Sequence, residues 1–182
     1  MSRKTEIIVA SVILSLLLIG GAFLVAKQKA KYVEKADTVA KNTVPTVGEV
    51  KSEHSHSTIL VFINGTLIDF TKAKYQSQSP IAHFEDGNGT TLHKHATGVT
   101  LPLFFSTLGM KLDSDCILFE GTNYCTDQTN HLSIFINGIK ANDFIASYEL
   151  HSHDKILVNY GPENEVDLAL RRNLVPDTGE NF

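Results

Sequence analysis

The chain has 182 residues with 16 basic and 20 acidic side chains, and its formal net charge at pH 7 is −4. This charge and the lack of a basic patch argue against nucleic acid as a partner. Beyond its N-terminal segments the chain keeps about 130 residues, which is enough for one domain with a buried core.

The first predicted element is a run without charged residues, Ile7–Ala26. As a helix that rises about 1.5 Å per residue, this run is about 30 Å long, which matches the hydrocarbon core of a bilayer. It is longer than the apolar region of a cleavable signal peptide, and residues 24–27 make a poor cleavage site. The sequence therefore predicts a retained membrane anchor at residues 1–27, with Ile7–Ala26 in contact with membrane lipid.

Residues 28–51 are predicted to form a spacer between the anchor and a folded domain. They are rich in Lys, Glu, Thr and Val, and Tyr32 is the one aromatic residue among them. Pro45 and Gly48 end any helix that continues from the anchor.

Sequence signals conflict on the side of the membrane where the domain lies. More basic residues follow the anchor than precede it, which favours a cytoplasmic domain. Long domains, however, translocate largely regardless of charge, and a disulfide between Cys116 and Cys125 would persist only in an oxidising compartment. Asn64–Thr66 and Asn88–Thr90 also match the N-glycosylation pattern. We therefore expect a single-pass membrane protein with an extracytoplasmic domain.

Two hairpins are predicted around Asn-Gly pairs, which are the strongest short-range hairpin signal because both residues tolerate positive φ. The first covers Ser57–Phe70 and turns at Asn64-Gly65, and the second covers Leu132–Phe144 and turns at Asn137-Gly138. Between them, Leu101–Leu108 has apolar residues at the i, i+3, i+4, i+7 spacing of a short helix that faces the core.

Three further elements follow from the sequence. Cys116–Cys125 is predicted to be a small hairpin in which the two cysteines face each other, and we interpret them as a structural disulfide because the spacing is not C-x-x-C. Lys155–Gly161 is predicted to be a strand. Glu163–Leu174 is predicted to be a helix with aliphatic residues on one side (Val166, Leu170 and Leu174) and with two exposed arginines, Arg171 and Arg172.

These elements predict an α+β domain at residues 52–161, in which one helix packs on a mixed sheet, followed by a C-terminal helix and tail at residues 162–182. The stretch Phe135–Gly161 begins with F-I-N-G and ends with D-x-I-L-V-x-Y-G. It resembles the end of β-grasp domains related to cobalamin-binding and sulfur-carrier modules. The resemblance implies a β-grasp-like fold, but no carrier function, since the terminal Gly-Gly of those carriers is absent.

Histidines are the most informative residues for function, because five of the eight lie between Glu53 and Ala96. Residues i and i+2 of a strand point to the same face, so a His-x-His pair can offer two imidazoles to one metal ion. A pair of solvated histidines at a strand end is the alternative interpretation of each motif. We predict one shared metal site formed by His54, His56, His83, His93 and His95. We expect His131, His151 and His153 to lie apart from it as structural or solvated residues.

The donor types indicate which metal such a site would prefer. With both cysteines in a disulfide, the donors are mainly imidazole nitrogens, which suit Cu(II) or Zn(II) better than Cu(I). We favour copper, with zinc as the alternative. Glu53, Glu85 and Asp86 lie near enough in sequence to accept hydrogen bonds from the ring N–H groups.

Four motifs carry a resemblance over most of residues 54–161: His54–His56, Val61–Phe70, His83–Val99 and Tyr160-Gly161. They resemble those of small membrane-anchored, His-rich extracytoplasmic proteins of ammonia-oxidising archaea. Some of these are labelled thiol–disulfide isomerases, but the C-x-x-C of that chemistry is missing here. The copper dependence of these archaea is a further indication of copper, by association.

The sequence thus predicts a membrane-tethered, extracytoplasmic metal-binding module. One alternative is an accessory or interaction subunit of a membrane protein complex. Another is a metal-dependent or thiol–disulfide enzyme, in which Glu85 or Asp86 would act as a general base. No catalytic residue or nucleophile motif is identified, so an enzyme is the less favoured class.

Overall fold

The computed structural model describes residues 45–178. The predictions for the membrane anchor at Ile7–Ala26 and for residues 28–44 of the spacer fall outside the described residues. Within residues 45–178, no helix has both the length and the hydropathy to span a membrane. This part of the chain is an α+β fold with a mixed sheet and two helices, as the sequence predicts.

The main sheet is centred on two parallel strands, β1 (Ser55–Ile63) and β10 (Lys155–Gly161). Both are rich in β-branched and aromatic residues, which favour a pleated, buried surface. The remaining strands are antiparallel to their neighbours: β2 (Thr66–Leu67), β3 (Ala82–His83), β4 (Thr91–Lys94), β8 (His131–Ile136) and β9 (Ile139–Lys140). The order across the sheet is β3-β4-β1-β10-β8-β9, and β2 pairs with the end of β1.

Both Asn-Gly hairpins predicted from the sequence are confirmed. Asn64 and Gly65 join β1 to β2, and Asn137 and Gly138 join β8 to β9. All four residues have φ values between 49° and 78°. This positive φ gives the two-residue turn whose twist matches that of the flanking strands.

A second, antiparallel sheet consists of β5 (Lys111–Leu112), β6 (Cys116–Phe119) and β7 (Thr122–Cys125). Cys116 and Cys125 occupy directly opposite positions on β6 and β7. They are joined by a disulfide, in agreement with the pairing expected from the sequence. Closing so short a loop stabilises the fold by roughly 2–3 kcal/mol.

Helix α1 (Leu101–Thr107) lies on one face of the main sheet. Thr100 caps it, because its Oγ1 accepts a hydrogen bond from the Leu103 amide at 3.4 Å. Pro102 suits the first turn, where its missing N–H would have no partner in the helix. Three fully buried side chains attach the helix to the core: Leu101, Phe104 and Phe105.

Helix α2 (Glu165–Leu174) covers the opposite face of the main sheet. It begins with a capping box, in which the Asn164 side chain accepts from the Asp167 amide and the Asp167 side chain accepts from the Asn164 amide. Leu168 and Val175 are buried against Leu60 of β1 and its neighbours on this face.

The prediction of which side chains α2 exposes is wrong. The guanidinium groups of Arg171 and Arg172 lie over the rings of Phe62 and Phe135, at 4.5 and 4.4 Å from the ring centroids. Long arginine side chains cover aromatic surface with their stems and still keep the charge near water. The aliphatic side chains point outward instead, with 61–69% of their surface exposed: Val166, Leu170 and Leu174.

Alternation along β1 decides which face of the sheet carries the histidines. Ile59 and Val61 belong to the core beneath α1, whereas Leu60 and Phe62 belong to the cluster beneath α2. Because successive side chains of a strand point to opposite faces, His56 lies on the α2 side. The histidines therefore lie outside the main core.

Candidate metal centre

Strand register brings three histidines into one row across the sheet. His83 of β3 is paired with His93 of β4, and His93 is paired with His56 of β1. Directly opposite residues of antiparallel strands have their Cβ atoms about 4.5–5.5 Å apart on the same face. Each of three neighbouring strands thus contributes one imidazole to the same small area.

The remaining two predicted ligands extend this row along the strands. His54 and His95 each lie two residues from a member of the row, and so point to the same face. Their ring centroids are 5.0 Å apart. The His95 amide donates to the Ile81 carbonyl at 2.8 Å, which continues the pairing of β3 with β4 beyond their ends. The structure therefore brings together all five histidines that the sequence singles out.

His54, His56 and His93 form a first group whose donor nitrogens lie within 4.8 Å of one another, close enough to hold a metal ion. The Nε2 atoms of His54 and His56 are 3.1 Å apart. The ring centroids of His56 and His93 are 4.4 Å apart, nearly at right angles. The group runs from an exposed ring, His54, to a buried one, His93.

His83, Glu85 and His95 form a second group, whose donor atoms also lie within 4.8 Å of one another. The ring centroids of His83 and His95 are 5.0 Å apart, and His83 Nε2 is 3.0 Å from Glu85 Oε2. His83 Nδ1 lies 2.6 Å from the carbonyl oxygen of Ser79. A carbonyl only accepts, so Nδ1 carries a proton, and this contact fixes the ring and directs Nε2 towards Glu85.

Glu85 contacts both groups. Its Oε2 is 3.0 Å from His83 Nε2, and its Oε1 is 3.1 Å from His93 Nδ1. That nitrogen is buried and lacks a partner in hydrogen-bonding geometry, because the short contact to Glu85 is poorly aligned. The sequence predicts Glu85 as an acceptor behind the ligands, or as a general base in the enzyme alternative, and not as a ligand. The signal for a direct role is its position two residues after His83, which places both on one face.

Of the acidic residues predicted to support the rings, Glu53 has a different role. Its carboxylate accepts from Ser55 Oγ at 2.9 Å and lies 2.7 Å from Lys94 Nζ, on the other side of the sheet from the rings. Lys94 lies between His93 and His95 in sequence and therefore points away from them. Asp86 is exposed on the turn that follows Glu85.

The electrostatics of the cluster favour the protonation states that bind metals. Burial is the largest cause that lowers the pKa of His56, His93 and His95, and the charges of neighbouring histidines lower it further, against an opposing effect of Glu85. Burial raises the pKa of Glu85, but the hydrogen bond from His83 and the nearby histidines outweigh it and hold that pKa below its ordinary value. The lowered pKa values therefore favour neutral imidazole and ionised carboxylate, which are the forms that bind a metal ion.

These shifts predict that the metal-free protein loses stability when the pH falls from about 7.5 to about 5.5. In the unfolded chain these histidines titrate near pH 6.5, above their folded pKa values, so the unfolded state binds protons first. Denaturation in urea of the full chain with chelator present, followed by tyrosine fluorescence, measures this. An unchanged or higher midpoint at the lower pH would contradict the prediction.

The third His-x-His pair is closer to the cluster than the sequence suggests. The His153 amide donates to the His56 carbonyl at 2.7 Å. This contact continues the parallel pairing of β10 with β1 to the residues that precede Lys155, the first residue of β10. Neither His151 nor His153 belongs to either donor group, as the sequence predicts. The His153 ring bonds to Thr178 Oγ1 at 2.6 Å, and the exposed His151 ring packs edge-on against Tyr148. His131 begins β8 and is exposed.

No family model, curated protein sequence or solved structure matches this chain. The candidate site is therefore argued from its own geometry. Three side chains on neighbouring strands and three just beyond the ends of those strands bring imidazole nitrogens and one carboxylate together, in two groups that could each hold a metal ion.

Proposed function

We propose that this chain is a metal-binding module in which histidines on β1, β3 and β4 and just beyond their ends hold copper, with zinc as the weaker candidate. One observation carries the proposal: five imidazoles and the Glu85 carboxylate converge on one face of the sheet, in two groups of donor atoms within 4.8 Å. Sheet positions hold ligands more precisely than loops do. Solvated histidines at a strand end have no reason to meet across three strands.

The donor set supports copper over zinc. Imidazole nitrogen with one carboxylate suits Cu(II) and Zn(II), and affinity for the same donors is higher for Cu(II) in the Irving–Williams order. Both cysteines are bonded to each other, so no thiolate is offered by them to Cu(I). The resemblance to proteins of copper-dependent archaea agrees with this choice.

We further propose that Ile7–Ala26 tethers the module to a membrane and that the domain is extracytoplasmic. The uncharged run supports the tether, and the Cys116–Cys125 disulfide supports an oxidising compartment. The mixed sheet with α1 packed on it agrees with a β-grasp-like assignment. Protease treatment of intact cells tests the topology, and full protection of the domain would contradict it.

Metal titration of the full chain, purified in detergent and stripped with chelator, tests the central proposal. We expect tight, stoichiometric uptake of Cu(II), and weaker uptake of Zn(II), in competition with a chromophoric chelator. Uptake should be lost when all five clustered histidines are replaced by asparagine.

A matched control replaces His131 and His151 by asparagine, because both are exposed and outside the two donor groups. This variant should bind as much metal as the unchanged chain. Absence of binding in the unchanged chain, or equal binding by the five-histidine variant, would overturn the proposal.

A further inference from the structure

The spacing of the rings does not fit a single ion. With metal–nitrogen bonds of about 2.0–2.1 Å, two imidazoles on one ion have their centroids about 5 Å apart when they are adjacent ligands, and about 6.4 Å apart when they lie opposite each other, as in square-planar Cu(II). Centroid separations within the groups meet the value for adjacent ligands: 4.8 Å for His54–His56, 4.4 Å for His56–His93 and 5.0 Å for His83–His95.

Between the groups the separations are mostly larger. They are 6.2 Å for His83–His93 and 6.4 Å for His93–His95. His54 and His95, at 5.0 Å, mark the place where the two groups adjoin. His93 is thus at the distance of an opposite ligand from both His83 and His95, but one ion has a single position opposite any given ligand. The five rings therefore surround two neighbouring points rather than one.

Glu85 lies between these two points. Its Oε2 is 3.0 Å from His83 in the second group, and its Oε1 is 3.1 Å from His93 in the first. A carboxylate with one oxygen directed to each side is suited to link two cations. His93 Nδ1 is buried and has no hydrogen-bond partner among the described residues.

His83 and Glu85 direct their donor atoms at one place. The Ser79 carbonyl fixes the His83 ring through Nδ1, so that Nε2 lies 3.0 Å from Glu85 Oε2. With metal bonds of about 2.0–2.2 Å, two adjacent ligands of one ion have their donor atoms about 3 Å apart, so this pair is spaced to share an ion.

We infer that the cluster is a two-metal site, with one ion held by His54, His56 and His93 and a second held by His83, Glu85 and His95. This inference rests on the proposed metal-binding function and specifies its stoichiometry. The first position offers three nitrogens, and the second two nitrogens and an oxygen. Three protein donors leave each ion an open position for water or a small ligand. Two-metal sites generally hold their ions roughly 3.5–4 Å apart.

The test uses Cu(II) alone as the probe and the full chain in detergent. We expect two equivalents bound at saturation. Electron paramagnetic resonance should show an isolated Cu(II) signal at low loading. At two equivalents it should show a broadened, spin-coupled signal with a half-field transition, since only ions a few ångströms apart couple in this way.

Each outcome has a distinct meaning. No bound copper would overturn the proposed function itself. One equivalent at saturation would leave the metal-binding module intact and overturn the two-metal site. Two equivalents without spin coupling would place the second ion elsewhere and also overturn it.

Glu85→Gln tests whether the carboxylate between the two groups is needed for the second ion, because glutamine keeps the shape of the side chain and removes its charge. We expect the second equivalent to bind at least about 10-fold more weakly and the coupled signal to disappear. Asp86→Asn is the matched control. It removes the neighbouring exposed charge at a residue with φ of 55°, a backbone conformation that asparagine accepts. Equal behaviour of the two variants would overturn the role assigned to Glu85.

Discussion

Replacing His93 with alanine is expected to weaken binding of the first Cu(II) ion by at least about 100-fold. Loss of a residue that only supports a ligand lowers metal affinity about 10–100-fold, and loss of a ligand itself should lower it more. His93 is the central ring of the cluster. It is paired with His83 on one side and with His56 on the other, and it contacts Glu85. It is 7% exposed, so water does not easily take its place.

Competition between the protein and a chelator of known affinity measures this loss. His93→Ala also removes a buried side chain. His54→Ala therefore serves as a second variant, because His54 is a proposed ligand whose ring is exposed, so its loss leaves the packing unchanged. His131→Ala controls for the loss of any histidine. If His54→Ala and His131→Ala bind copper equally well, the first donor group is not a metal site.

Local signals were enough to predict most elements of the fold. The Asn-Gly turns, the helix predicted at Leu101–Leu108 and the strand Lys155–Gly161 each depend on residues close together in sequence. The cysteine pairing was predictable for the same reason, since one short hairpin places Cys116 opposite Cys125. Such features follow from turn chemistry and periodicity alone.

Long-range register was not predictable in the same way. Alternation shows that His54 and His56 share a face, but not that His93 is opposite His56 or that His153 is adjacent to it. Those neighbours follow from which strands pair, and pairing is decided by the whole core. The two donor groups, and the place of Glu85 between them, therefore become visible only in three dimensions.

Side-chain amphipathicity explains two other differences. Arg171 was expected to face water because it is charged, yet its stem and guanidinium cover an aromatic ring. Lys94, between two histidines in a polar stretch, has the sequence context of a surface residue. It is nevertheless only 2% exposed, because carboxylates from distant segments of the chain form ion pairs with its ammonium group. Burial of a charge depends on partners that composition does not reveal.

Lys94 anchors β4 from the side opposite the clustered histidines. Its Nζ lies 2.7 Å from Glu53 Oε2 and 3.0 Å from Glu149 Oε1, and it donates to the Leu150 carbonyl at 2.6 Å. The two carboxylates are themselves mostly buried, with 28% and 31% of their side-chain surface exposed. This network ties the strand that carries His93 to the segments before β1 and β10.

Lys94→Met is therefore expected to lower the free energy of unfolding by about 3 kcal/mol, the lower end of the range for breaking a buried ion pair, because the carboxylates keep some contact with water. Methionine fills similar volume, so the loss reflects the two carboxylates and the carbonyl left unpaired. Chemical denaturation of the metal-free chain measures it. Lys74→Met is the matched control, since Lys74 pairs with Glu120 on the surface, where such pairs contribute about 0–1 kcal/mol.

Neutralising the partners separates the charge effect from the loss of packing. Adding Glu53→Gln and Glu149→Gln to Lys94→Met removes the unpaired buried charges, so we expect much of the lost stability to return. A cavity or a disturbed strand would not be rescued in this way.

If Lys94→Met lowers the free energy of unfolding no more than Lys74→Met does, the buried network does not stabilise the fold. If the triple variant is less stable than Lys94→Met, the carboxylates contribute through contacts other than the ion pair. Rescue would instead show that Lys94 holds β4, and with it His93 and His95, through its charge.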